Sequence, residues 1–175
     1  MSNTKLLAGQ VFPDITVTNL NGGNLDLADM SGFDWKLVVV YRGKHCPLCT
    51  QYLNTLNSLL PEFEALGVGV VAVSSDTLEK AQSQMKDVTP DFTVGYGLTI
   101  EQMQELGLYI SNPRSAAETD SPFAEPGLFV INEKKQLQII DTSNAPFVRP
   151  DLNSLIMGLK FIRNPENNYP IRGTY

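Results

Sequence analysis

Cysteine and histidine are nearly missing from this chain, with two of the first and one of the second in 175 residues. Two cysteines are too few for a disulfide-stapled scaffold. With one histidine beside them, a four-ligand zinc site is hard to complete. Basic runs are missing too. Nothing larger than Lys134-Lys135 offsets a net charge of −6, which argues against nucleic acid or an anionic membrane as a partner. No stretch reaches the roughly eighteen apolar residues of a membrane span, and Leu6-Leu7-Ala8 is too short for a signal-peptide core. The expected address is therefore cytoplasmic, where a close cysteine pair reads as catalytic or metal-binding rather than structural. There is no repeat and no low-complexity tract. With 42% hydrophobic and 18% charged residues the chain can bury one good core, and it reads as one domain over residues 1–175.

What is present is concentrated between Leu37 and Thr50. Leu37 to Tyr41 is wholly apolar and rich in β-branched residues, as suits a strand buried on both faces. Arg42 to His45 breaks it. From Pro47 the apolar positions Leu48, Tyr52, Leu53, Leu56, Leu59, Leu60 and Phe63 recur every three or four residues, which predicts an amphipathic helix. Pro47 fits its first position, because its missing N–H has no intrahelical partner there. That makes Cys46 the N-cap, facing unpaired N–H groups and the positive helix end, both of which favour thiolate. Lys44 and His45 are expected to add positive charge nearby. Cys49 lies on the same side of the first turn, within reach of a Cys46–Cys49 disulfide. The reading makes Cys46 the nucleophile and Cys49 the resolving thiol, with a helix start that argues for exposure of the pair.

The flanking chain predicts a β-hairpin over residues 14–28 around Asn21-Gly22-Gly23, as an edge decoration. Trp35 reads as core or rim packing. A second buried strand spans Val68 to Val73 after a helix end at Leu66-Gly67, with Pro61 either kinking that helix or opening a short continuation. Helices are expected from Leu78 to Met85 and from Ile100 to Leu106, the latter capped by Thr99, with a short strand at 92–94 between them. Asn112 to Phe123 reads as an exposed loop, and Leu128 to Ile131 as a strand that returns along Leu137 to Ile140. Pro150 is expected to start a final helix, and 164–175 is a coil tail, ordered only if docked.

In order and spacing, several pieces resemble a known family. They are Phe12-Pro13-Asp14 with Leu25-Asp26-Leu27, the Val38-Val39-Val40-Tyr41 strand, Cys46-Pro47-Leu48-Cys49, Leu60-Pro61-Glu62-Phe63, Val70 to Ser74, and Pro126 before Phe129-Val130-Ile131. Along nearly its whole length the chain resembles a peroxiredoxin-like protein of the alkyl hydroperoxide reductase/thiol-specific antioxidant (AhpC/TSA) group. The resemblance implies an α/β thioredoxin-like fold, with a central mixed β-sheet flanked by helices on both faces and the redox pair at the carboxyl end of a middle strand. It also implies a peroxide substrate, a thioredoxin- or glutathione-type reductant, no cofactor or metal, and often a homodimer, although nothing in the sequence marks an interface. The family's P-x-x-x-T-x-x-C loop is not matched. Matching Cys49-Thr50 to the family's cysteine puts Cys46 at the threonine and Arg42 at the proline. Counting from the strand as in thioredoxins makes Cys46 the nucleophile of a C-x-x-C motif, which is the more physical match.

Two enzymatic readings share attack by the Cys46 thiolate. One is a peroxidase; the alternative is a thiol-disulfide oxidoreductase acting on protein or small-molecule disulfides. Peroxide cleavage also needs a cation at the leaving oxygen, for which Arg42 and Arg149 are the candidates, against ordinary surface or capping roles. His45, Pro47, Thr50 and Pro126 are supporting positions. His45 is general base, pKa modifier or merely solvent-facing. Pro126 resembles the cis-proline that faces the redox pair in thioredoxin folds, or is a trans-proline at a strand start. A third class is a binding or scaffold module that uses the cysteines only as a sensor.

Overall fold

The computed structural model describes residues 5–175, so the first four residues of the expected 1–175 unit lie outside the described residues. Seven strands form one mixed sheet. In chain order they are β1 (Thr16–Asn19), β2 (Asn24–Asp26), β3 (Trp35–Val40), β4 (Val68–Val73), β5 (Thr93–Tyr96) and, after a separate two-stranded ribbon of β6 (Ile110–Ser111) and β7 (Phe123–Ala124), β8 (Gly127–Ile131) and β9 (Leu137–Thr142). Across the sheet they run β2-β1-β5-β4-β3-β8-β9. Strands β3, β4 and β5 are parallel, and the outer pairs are antiparallel. Every residue of β3, β4 and β8 is buried, because these strands are covered on both faces. The predicted hairpin is β1–β2. It lies at one edge of the sheet as expected, with β1 paired to β5 and β2 outermost.

Four helices cover the sheet. Helix α1 (Pro47–Ala65) and α4 (Leu152–Arg163) lie over one face, where Leu53, Leu56, Leu60, Phe63, Ile156 and Leu159 meet Leu37, Val39, Val70 and Val130. On the other face α3 (Ile100–Glu105) contributes Met103, which joins Phe12, Ile15, Val38, Val40, Val71 and Phe129. Helix α2 (Leu78–Met85), capped by Thr77, buries Ala81, Gln84 and Met85.

Several boundaries differ from expectation. Helix α1 runs straight through Pro61 to Ala65, and Leu48, counted with its apolar face, is 41% exposed while Cys49 takes the inward position. Helix α4 begins at Leu152 under an Asp151 cap, because the Asp151 carboxylate accepts from Ser154 N at 2.9 Å; Pro150 precedes the cap. The expected loop at 112–123 is bracketed by the β6–β7 ribbon. Within the tail, Pro165–Asn167 forms a 3₁₀ turn and Tyr169 sets its ring edge-on to Phe161. Trp35 is core, its indole N–H donating to Glu133 at 2.6 Å. No described helix is long and apolar enough to cross a membrane.

Candidate active site

The chain leaves the carboxyl end of β3 at Val40 and turns through Arg42 to His45 before α1 begins. This turn is clamped from beneath. The Asp76 carboxylate, just past β4, accepts from Lys44 N at 2.8 Å, and Gln84 of α2 donates from Nε2 to Gly43 O at 3.0 Å and to Thr50 Oγ1 at 3.1 Å. Gly43 is required there. Its φ is +135, and a Cβ would stand 2.7 Å from Asp76 Oδ1, so any side chain would push the turn off its clamp.

That geometry delivers Cys46 to the N-cap and Pro47 to the first turn. The Cys46 sulfur accepts from Cys49 N at 3.2 Å, the part a serine or aspartate oxygen plays at most caps. The Cys49 thiol and the Arg42 side chain also lie near enough to favour the charged form of that sulfur. Against the opposing effect of burial, these donors bring the Cys46 thiol from 9.0 to about 6, the Cys49 hydrogen bond counting most. Cys49 moves the other way. Its proton is held by the Cys46 sulfur and its side chain is buried, so it stays a thiol although Arg149 faces it.

Two arginines frame the pair. Arg149, from the segment before α4, donates from Nη1 to Cys49 Sγ at 3.4 Å and lies 4.5 Å over the Tyr52 ring, whose hydroxyl donates to Pro150 O at 2.7 Å. Arg42 donates from Nε to Glu125 Oε1 at 2.7 Å and lies 4.8 Å from the centroid of the Phe123 ring. Outside Arg149 opens a cleft of about 380 Å³ whose walls include Leu48, Tyr52, Phe147 and Pro150.

Some expectations fail here. The cysteines are not exposed, at 1% for Cys46 and 0% for Cys49, because both join the buried cluster that holds Val39, Tyr41, Leu53 and Leu128. His45 adds no charge; burial and then Arg42 hold its imidazole below the usual value, and its ring lies 4.4 Å from that of Phe123. Among the described residues no peptide bond is cis, so Pro126 is the trans-proline of a strand start. Glu125 and Tyr52 carry site contacts the sequence reading did not assign. Tyr52, one turn beyond Cys49, offered a spacing signal; Glu125 offered none.

A model described as the AhpC/TSA family matches residues 8–140 of the chain. A probable 1-Cys peroxiredoxin of Syntrichia ruralis is 27% identical over 136 residues, 75% of this chain and 62% of that protein. The thiol-disulfide oxidoreductase ResA of Bacillus cereus is 24% identical over 110 residues, 62% of this chain and 61% of that protein. Among solved structures, a cysteine-to-serine mutant of peroxiredoxin 6 from Arenicola marina superposes with a TM-score of 0.79 at 19% identity, covering 93% of this chain and 76% of that one. The chain spans about three fifths of the length of these curated relatives. The fold is thioredoxin-like, with the mixed sheet between helical layers that this neighbour shares. The family match extends from the segment before β1 to the middle of β9, taking in the whole cysteine turn, and on it the chain belongs to the AhpC/TSA family.

Proposed function

We propose that the chain is a thiol-dependent peroxidase in which Cys46 is the attacking thiol and Cys49 the resolving one. The observation that carries this is the Cys46 sulfur at the N-cap of α1, accepting from Cys49 N, with the Cys49 thiol and Arg42 placed to favour its charged form. A sulfur so solvated stays ionised near neutral pH, and only the thiolate attacks.

The thiolate attacks the terminal oxygen of a hydroperoxide, forming S–O as O–O breaks. The alkoxide or hydroxide leaves with the electron pair and takes up a proton. Developing charge on that oxygen is stabilised by the nearby guanidinium groups of Arg42 and Arg149. The Cys49 sulfur then attacks the Cys46 sulfenic acid, water departs, and a Cys46–Cys49 disulfide remains. Two electrons from a thioredoxin- or glutathione-type thiol return the pair to its reduced state, with disulfide formed on the donor. Burial of both sulfurs favours a small oxidant.

A second reading is favoured by the C-x-x-C spacing and by the name of the ResA relative: the same thiolate attacks a disulfide and Cys49 resolves the mixed species. The test is stopped-flow loss of thiol on mixing reduced protein with hydrogen peroxide. Fast oxidation that vanishes in C46S supports the peroxidase. Efficient reduction of insulin disulfides with no response to peroxide overturns it.

A further inference from the structure

The antiparallel ladder of β3 and β8 ends with Val40 opposite Gly127. Continued two residues past its end, the same register sets Arg42 opposite Glu125. The two side chains do meet, Arg42 Nε to Glu125 Oε1 at 2.7 Å, and the carboxylate end is buried, with 3% of the Glu125 side chain exposed against 17% for Arg42. Glu125 is itself fixed, its backbone N–H donating to Tyr109 O at 2.8 Å. Two residues earlier in the chain, Phe123 lies under the guanidinium, 4.8 Å from Arg42 Cζ to the ring centroid. One N–H of the fork is thus taken by Glu125 and one face by Phe123. The guanidinium held there lies close enough to the Cys46 sulfur for each group to favour the charged form of the other.

We propose that Glu125 is a positioning residue of the redox site, which holds the Arg42 guanidinium against the Cys46 sulfur. A buried carboxylate near a thiolate should, by charge alone, oppose ionisation of the thiol. Its presence is accounted for if its main effect is on Arg42, whose long side chain otherwise has a free route to solvent. Arg42 without Glu125 gains conformational freedom and leaves the sulfur with the Cys49 donors only. The inference rests on the reading of Cys46 as the ionised thiol.

The two accounts differ in sign. If Glu125 acted only as a charge, replacing it would stabilise the thiolate and lower the Cys46 midpoint. If it positions Arg42, E125A raises the midpoint by about one pH unit, the lower end of what a nearby opposite charge does to a titrating group. The other charged groups in the neighbourhood are Arg149 and Glu118 on the Glu125 side, Glu118 and Lys80 around His45, and Cys49 beside Cys46. None of them is altered in the variants.

The experiment is an ultraviolet thiolate titration of the reduced full chain, wild type against E125A, E125Q, R42A and E125A/R42A, with C46S to assign the signal. Expected are an upward shift in E125A, partial rescue in E125Q because its amide oxygen still accepts from Nε, and no further shift when E125A is added to R42A. A lowered or unmoved midpoint in E125A overturns the proposal, as does an added shift on the R42A background. If E125A fails to fold, E125Q against wild type decides, with an unmoved midpoint counting against the proposal. A wild-type midpoint that C46S does not abolish would instead overturn the reading of Cys46, and neither outcome depends on peroxide turnover.

Discussion

The backbone N–H of Cys49 points at the Cys46 sulfur across 3.2 Å, so the residue that would resolve the oxidised thiol also donates to the sulfur that caps the helix. Attack and resolution are then built from one helical turn. Next to the Cys46 sulfur and buried, the Cys49 thiol is pushed up and keeps its proton while Cys46 is the ionised group.

Replacing each cysteine separates the two steps. C46S should lose fast peroxide oxidation, by at least about 10³-fold, since a serine hydroxyl is not ionised at neutral pH. C49S should keep the first oxidation but stall as a sulfenic acid, detectable by dimedone labelling and mass spectrometry. A C46S protein that still reacts quickly would move the attack to Cys49.

The pH profile follows from the direction of the shift. Cys46 is held below its ordinary 9.0, at about 6, and the reactive form is the deprotonated one. The second-order rate with hydrogen peroxide should therefore rise as pH increases through about 6 and be flat above it. A rate still climbing between about pH 8 and 9 would show an ordinary thiol.

Arg149 touches Cys49, so its loss should be felt in the second step as well as in leaving-group stabilisation. R149M should slow peroxide oxidation by roughly ten- to a hundredfold, about 1.4 to 3 kcal/mol of transition-state stabilisation. Disulfide closure should slow too, read as lengthened sulfenate lifetime. A normal sulfenate lifetime would confine Arg149 to the first step.

Gly43 offers a stability test. G43A puts a Cβ 2.7 Å from Asp76 Oδ1 at a φ of +135, and should cost about 1–3 kcal/mol in urea unfolding. It should also lower the rate of Cys46 oxidation, because the turn that carries the cap is displaced. A fully stable and fully active G43A would show that the Asp76 clamp is not needed.

The redox turn is legible in the sequence because its signals are local. A proline at the first helical position, a change from a continuous apolar run to a 3.6-residue period and a cysteine at the cap all lie close together along the chain, and the helix begins where they place it. Arg149 can be named but not placed, since nothing local says that the chain before α4 folds back over α1. Glu125 cannot be named at all: its partner lies 83 residues away, and only the register of two antiparallel strands brings them together. Burial of the thiols is hidden for a similar reason. A helix start is exposed in isolation, and the buried cluster that takes in both cysteines draws on β3, β4, β8 and α4, which are far apart in the sequence. Leu48 shows the limit of counting apolar positions, which gives a face but not which of two neighbours, Leu48 or Cys49, turns inward.

The account turns on which sulfur is ionised, and alkylation mapping answers that directly. Reduced protein would be pulsed with iodoacetamide across a pH series, quenched, digested and read by mass spectrometry for label at each cysteine. The account predicts label at Cys46, with a rate that follows a midpoint at about 6, and almost none at Cys49 even at the pH where an ordinary thiol ionises, because the Cys46 hydrogen bond and burial push its thiol up. Label appearing first at Cys49, or at Cys46 only as pH approaches the ordinary thiol value, would contradict it.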